Sequence, residues 1–144
     1  MKTGKTPGED KNAITFAGME KIIIRTENAP APIGPYNQAI QFWNMLFISG
    51  QIAIDPKTGN LVQDNIKAET HQAMENLKAI LQEAGMDFSY VLKTTIFLMD
   101  MGQFAQVNEE YGSYFTSHAP ARETVQVTGL PKGGNVEISM IAGK

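Results

Sequence analysis

Alternating apolar and polar positions predict two strands near the C-terminus, at residues 121–127 and 136–141. Successive side chains of a strand point to opposite faces, so Arg122 and Thr124 should share one face of the first strand. In the second strand, Glu137 should face away from the larger set of apolar residues. A cation and a carboxylate are costly to place in such apolar segments without a use. We therefore expect Arg122 and Glu137 to converge on one small pocket.

Upstream, the hydrophobic pattern predicts four more strands and two helices. β-Branched and aromatic runs favour strands, whereas apolar residues spaced three and four positions apart favour helices. The predicted strands lie at 22–24, 38–42, 45–49 and 90–99, and the predicted helices run from an Asp64 N-cap to Gly85 and from about 101–103 to Phe115. This order predicts an α+β fold, a two-layer sandwich of about six strands with two helices on one face. The uncovered face is expected to close against other copies of the chain.

The N-terminal residues and the overall composition limit the class of protein. Residues 1–18 mix Lys, Gly, Pro and Asp without periodicity, so we interpret them as a flexible leader or a cloning remnant, Met19 as an original start and 19–144 as a single domain. The net charge of −3 and the pI near 5.3 do not favour nucleic-acid binding. Because the chain has no cysteine and no long apolar run, we expect a soluble, cytoplasmic protein without membrane contact.

Several catalytic and ligand-binding motifs do not occur in the sequence. GxxxxGK[ST], GxGxxG, HExxH and GxSxG are all missing, and His71 and His118 lack neighbours in metal-ligand spacing. We therefore predict no metal and no cofactor. Arg can bind a small carboxylate through two parallel N–H donors, and Glu can orient a water and transfer protons. A buried structural pair of Arg122 and Glu137 is an equally compatible interpretation.

Three further residues stand at positions that suit ligand binding. Tyr36 ends a rigid loop with three prolines, Gly50 would let a backbone amide approach a ligand, and Asn108 lies beside the apolar stripe of the second predicted helix. Each has a plainer interpretation. These are a half-buried aromatic for Tyr36, a bulge or turn for Gly50 and a helix-surface amide for Asn108.

Seven ordered blocks of sequence resemble the RidA family, which is also called the YjgF family. The likeness covers residues 19–142, nearly the whole chain outside the leader. The blocks are IGPYNQAI at 33–40, SGQI at 49–52, DPKTG at 55–59, KTTIFLMDM at 93–101, VNEEYGSYF at 107–115, PARETVQV at 120–127 and LPKGGNVEI at 130–138.

The resemblance implies a fold, an assembly and an activity. Family members resemble chorismate mutase in fold and form homotrimers with sites between subunits. The implied activity is hydrolysis of 2-iminobutanoate and 2-iminopropanoate to 2-keto acids and ammonia, without a cofactor. By this resemblance the catalytic residues are Arg122 and Glu137, and the substrate-binding residues are Tyr36, Ser49, Gly50, Asn108 and Thr124.

Two positions depart from the pattern of many family members, and other functions stay open. Thr124 stands where many deaminases carry Cys, and Ser139 stands where many relatives carry a second acid. A threonine hydroxyl can still donate to a substrate carboxylate, so deaminase activity is compatible with Thr124, whereas cysteine-dependent chemistry is not. Ser139 leaves Glu137 as the only carboxylate on its strand. The alternatives are a non-catalytic trimer that binds small carboxylates, a chaperone-like module, and an RNA-cleaving protein, which the acidic pI argues against.

Overall fold

A computed structural model describes residues 20–144, and the leader predicted at 1–18 lies outside these residues. Besides three short 3-10 helices, the described chain contains six strands and two α-helices. Their bounds are β1 Lys21–Ile24, β2 Ala39–Phe42, β3 Met45–Gln51, α1 Ile66–Glu83, β4 Val91–Leu98, α2 Phe104–Gly112, β5 Ala121–Gln126 and β6 Val136–Gly143. All the predicted elements are present, in the predicted order.

The six strands form one sheet in the order β1-β2-β3-β6-β4-β5. β4 and β5 pair in parallel, and every other neighbouring pair is antiparallel, so the sheet is mixed. α1 and α2 pack on one face of it, and together they bury the core of the molecule. The predicted two-layer α+β sandwich is therefore confirmed. No helix in residues 20–144 is long and apolar enough to cross a membrane.

The ends of the two helices differ from the sequence predictions. The N-cap of α1 is Asn65, whose side chain accepts a hydrogen bond from the Ala68 amide at 2.9 Å, and not Asp64. α2 ends at Gly112 and not at Phe115. The apolar pattern runs on because the Phe115 ring still packs 4.9 Å from the Tyr111 ring, although the chain has already left the helix. Apolar spacing thus reports burial beyond the last helical turn.

The face of the sheet opposite the helices carries a row of apolar side chains. Ile23, Ile40, Phe47 and Ile141 are register partners across β1, β2, β3 and β6. Ile23 is 58% exposed and Phe47 is 46% exposed. Ile40 and Ile141 are half-buried between them, and an apolar row of this kind is typical of interaction surfaces.

Candidate functional site

The described residues form a pocket of about 320 Å³ beside Glu137. The pocket lies at the end of β3, next to the loop that precedes β6. The rigid loop with three prolines that ends at Tyr36, which we call the Pro-rich loop, covers it. Four residues predicted from sequence line it: Tyr36, Ser49, Gly50 and Glu137. The other lining residues are Pro30, Ala31, Ile33, Gln38, Gln51, Ile52, Ile54 and Pro131. We call this cavity the Glu137 pocket.

Gly50 is needed because the Glu137 side chain lies directly over its backbone. A Cβ at Gly50 would come within 2.8 Å of Glu137 Cδ and 3.0 Å of Glu137 Cγ. The register between β3 and β6 also shifts between Ile48 and Gln51, so a β-bulge is present at this point. Gly50 is therefore a bulge residue that the Glu137 side chain approaches closely, while the approach of a ligand to its backbone amide stays a prediction.

Gly50→Ala is expected to lower the activity proposed below about 10- to 100-fold. The new methyl group would displace the carboxylate of Glu137, and a misplacement of about 1 Å at a reacting group can cost that much. The measurement is kcat at saturating substrate. Gly129→Ala is the matched control, because a Cβ at Gly129 meets nothing within 4 Å. Equal rates for the two variants would contradict this role of Gly50.

The carboxyl of Glu137 is partly buried and has no ion-pair partner in residues 20–144. Burial removes water from the charged form and so raises the pKa of Glu137 above its usual range. A carboxyl with a raised pKa is a stronger base when ionised, so it is better suited than an ordinary glutamate to take a proton from a bound water.

The Pro-rich loop that covers the Glu137 pocket is held from below by a buried amide. Gln38 is 2% exposed and its Nε2 donates to the Thr26, Ala29 and Pro30 carbonyl oxygens at 3.0, 3.2 and 2.9 Å. Within the loop, the Tyr36 hydroxyl accepts from the Ile33 amide at 3.2 Å. Tyr36 is 46% exposed, so it stands at the mouth of the pocket rather than in the core.

Ser49 supports the pocket wall. Its Oγ donates to the Asn37 carbonyl oxygen at 2.6 Å, and this bond ties the start of the bulge to the end of the Pro-rich loop. The hydroxyl proton is therefore engaged in the structure of the site.

The remaining predicted residues form a second group, the Arg122 cluster, on the helix face at the β5 edge. An Nη atom of Arg122 donates to Asn108 Oδ1 at 2.7 Å. The guanidinium carbon lies 5.0 Å from the Tyr111 ring centroid and 5.6 Å from that of Phe104. These contacts hold the arginine by one side and over aromatic faces, so its other donors stay available for a carboxylate.

Thr124 adds an unsatisfied hydroxyl to the Arg122 cluster. It lies two residues after Arg122 on the same face of β5. Its Oγ1 is buried and finds no hydrogen-bond partner within residues 20–144. Because buried hydroxyls are nearly always paired in folded proteins, this atom indicates a place where a ligand oxygen would be stabilised.

Within one chain, Arg122 and Glu137 do not converge. Arg122 pairs with buried Thr94 on the helix face, whereas Glu137 pairs with Phe97, and residues three apart on one strand point to opposite faces. The expectation of a single pocket is wrong for an isolated subunit. The assignment of residues to the two faces of each strand was correct, but alternation along a strand carries no information about its register with a neighbouring strand.

Comparisons with known proteins agree on one family. The family model described as Endoribonuclease L-PSP matches residues 26–144. A RutC family protein of Pyrococcus horikoshii is 54% identical over 124 residues, which are 86% of this chain and 98% of that protein. The 2-iminobutanoate/2-iminopropanoate deaminase of Mus musculus is 49% identical over 120 residues, 83% of this chain and 89% of the mouse protein. The chain belongs to the RidA/YjgF family.

Solved structures of RidA/YjgF proteins share the fold closely. The YjgF gene product of E. coli superposes with a TM-score of 0.82 at 43% identity, covering 85% of this chain and 98% of that one. E. coli TdcF with bound serine superposes with a TM-score of 0.83 at 38% identity, covering 86% and 99%.

Two buried polar residues beside the site of this RidA/YjgF chain were not predicted from its sequence. Glu69 is 1% exposed and Asn76 is 0% exposed, and both lie on α1. They interrupt the apolar stripe at Ile66, Ala73 and Leu77, and that interruption is the signal that could have found them. His71, in contrast, lies on the outer surface of α1, where its Nδ1 is within hydrogen-bond distance of Glu110 Oε1 at 3.0 Å and of the Tyr114 hydroxyl at 2.9 Å. No cluster of three His, Asp or Glu residues within 20–144 is arranged to hold a metal.

Proposed function

We propose that this protein hydrolyses small 2-imino acids, such as 2-iminopropanoate and 2-iminobutanoate, to 2-keto acids and ammonia. The observation that carries the proposal is a pair of complementary half-sites on one chain. The Glu137 pocket supplies an unpaired carboxyl with a raised pKa, and the Arg122 cluster supplies an anion-binding guanidinium beside an unsatisfied hydroxyl. Relatives that are 48% and 49% identical to this chain carry the name 2-iminobutanoate/2-iminopropanoate deaminase.

The two half-sites meet, in this proposal, between neighbouring subunits of a homotrimer. They lie on opposite faces of the sheet, so one subunit cannot use both on one small substrate. The apolar row on the face of the sheet opposite the helices gives a surface through which copies of the chain can associate. In a cyclic trimer the same contact repeats three times, so each site takes Arg122 from one subunit and Glu137 from the next.

The chemistry needs one water and no cofactor. Arg122 binds the substrate carboxylate with its free donors, and the Thr124 hydroxyl donates to the same group. Glu137 accepts a proton from a water as that water attacks the imine carbon, and the C=N electron pair moves to nitrogen. Glu137 passes this proton to the nitrogen, which completes the amine of the tetrahedral adduct. Glu137 then takes the proton of the adduct's hydroxyl, the C–N bond breaks as the C=O bond forms, and this second proton goes to the departing nitrogen, so ammonia leaves.

The direct test is to generate the imine in place and to follow the products. A pyridoxal-phosphate dehydratase releases 2-iminopropanoate from serine, and loss of the imine is compared with and without this protein, together with pyruvate and ammonia. We expect faster loss of the imine in the presence of the protein. No acceleration, together with calorimetric binding of pyruvate or serine, would favour the non-catalytic carboxylate-binding alternative. Cleavage of a single-stranded RNA by the same preparation would favour the nuclease alternative.

Mixing two inactive variants should restore about a quarter of the wild-type activity. After subunit exchange at equal amounts, three quarters of the trimers contain both Arg122→Ala and Glu137→Gln chains, and each such trimer has one intact site of three. The measurement is the rate of the mixture after brief unfolding and refolding together. Co-refolding each variant with itself is the control. A mixture that stays as inactive as its components would show that the two residues do not act across a subunit boundary.

A further inference from the structure

A buried carboxylate on α1 holds the loop that leads into β6. Glu69 is 1% exposed, and both of its oxygens are used by one residue. Its Oε1 accepts from the Asn135 backbone amide at 2.6 Å, and its Oε2 accepts from Asn135 Nδ2 at 2.9 Å. The Asn135 carbonyl oxygen in turn accepts from the Met99 amide at 3.0 Å. Asn135 is thus fixed on both sides, two residues before Glu137.

The fixed position of Asn135 matters because, at Glu137, β6 has a paired neighbouring strand on one side only. The pairing of β3 with β6 ends at Gln51 and Ile138, beyond the bulge. Glu137 still pairs with Phe97 of β4, but no β3 residue pairs with it or with Val136. The clamp between Glu69 and Asn135 therefore holds the β6 end at the point where the sheet no longer does so.

A second polar side chain of α1 performs the same task for the opposite wall. Asn76 lies two turns after Glu69, and its Nδ2 donates to the Ile52 and Ile54 carbonyl oxygens at 3.1 and 2.9 Å. Ile52 and Ile54 line the Glu137 pocket just after β3 ends. The two segments that leave the sheet at the pocket are thus both anchored to α1. Within residues 20–144, Glu69 and Asn76 are the buried polar residues of this helix whose side chains hydrogen-bond these segments.

We propose that Glu69 is a positioning residue, which sets the place of the Glu137 carboxylate by clamping Asn135. A purely stabilising role explains the clamp poorly, because a desolvated carboxylate is a costly way to close a loop. The kinetic part of this inference rests on the proposed deaminase function, whereas its structural part does not.

The kinetic test compares two substitutions at Glu69 with a neighbouring control. Glu69→Leu leaves both Asn135 donors without acceptors and is expected to lower kcat about 10- to 100-fold with little change in KM. Glu69→Gln should stay within about threefold of wild type, because a flip of the Asn135 amide restores two hydrogen bonds. Thr70→Val is the matched control: it removes the buried bond from Thr70 Oγ1 to the Ile66 carbonyl oxygen on the same turn, without touching the loop. Equal kcat values for Glu69→Leu and Thr70→Val at similar Tm would overturn the proposal.

A readout without catalysis separates this inference from the proposed function. NMR titration gives the pKa of the Glu137 carboxyl, and amide hydrogen exchange reports the protection of Val136 and Glu137. Both should change in Glu69→Leu and stay near wild type in Thr70→Val, even if the protein proves not to hydrolyse imines. If Glu69→Leu fails to fold, Asn135→Ala replaces it, since that change removes the Nδ2 bond and keeps the backbone bond. Unchanged titration and exchange in the folded variant would refute the positioning role.

Discussion

Arg122→Ala is expected to lower kcat/KM for 2-iminopropanoate by about 10²- to 10⁴-fold. The variant loses two charge-assisted hydrogen bonds to the substrate carboxylate, at roughly 1.5–3 kcal/mol each. The fold should persist, because Arg122 lies on edge strand β5 and its one described hydrogen bond goes to the exposed side chain of Asn108. The measurement is the imine-loss assay, with circular dichroism and light scattering to confirm the folded oligomer.

Two further variants show whether the geometry or only the charge of Arg122 is used. Arg122→Lys keeps a cation but loses the planar fork, so an intermediate loss is expected. Lys67→Ala is the control for a lost surface cation, since Lys67 forms an exposed pair with Glu109 at 2.8 Å and belongs to neither half-site. Wild-type kinetics in Arg122→Ala would rule out the arginine as the carboxylate anchor and, with it, the proposed mechanism.

Glu137→Gln is expected to lower kcat at least 10²-fold while KM changes little. Glutamine keeps the shape of the side chain over Gly50, but it cannot take a proton from water. In the wild-type protein, the proposed activity should fall as pH is lowered through the raised pKa of Glu137, because the protonated carboxyl is no longer a base. The measurement is the pH profile of kcat, whose acid limb should disappear in the residual activity of Glu137→Gln.

The same substitution should stabilise the protein at neutral pH. A carboxyl whose pKa is raised on folding binds more protons when folded, so the free energy of unfolding falls as pH rises from its ordinary pKa to the raised one. Above that window the full cost of burying the charge is present, and Glu137→Gln removes it. We expect a Tm increase of about 1–3 °C at pH 7, kept small by partial exposure, and none below the ordinary pKa.

Glu123→Gln is the control for this stability prediction. Glu123 is an exposed carboxylate on β5 whose pKa is lowered by its hydrogen bond to Lys93, so its replacement should not raise Tm at pH 7. A lower Tm for Glu137→Gln at neutral pH would contradict the inference that burying the Glu137 carboxylate lowers the stability of the protein.

The sequence predicted the elements better than their ends. Alternation at β5 and β6 placed Arg122 with Thr124, and Glu137 opposite the apolar set, and the structure has both arrangements. The predicted end of α2 was wrong because Phe115 packs on the core although its backbone is no longer helical. Glu69 was overlooked because its charge suggests exposure, and its burial depends on Asn135, which is 66 positions away.

What the sequence by itself determined is the set of local faces, the family and the candidate chemistry. Periodicity depends on neighbours along the chain, so two residues on one strand can be placed without a tertiary structure. Only the tertiary structure decided that β6 lies between β3 and β4, that the β3 pairing stops before Glu137, and that the two half-sites face opposite ways. Those features follow from strand order and register, which are set by contacts between segments far apart in sequence, and no local pattern specifies them.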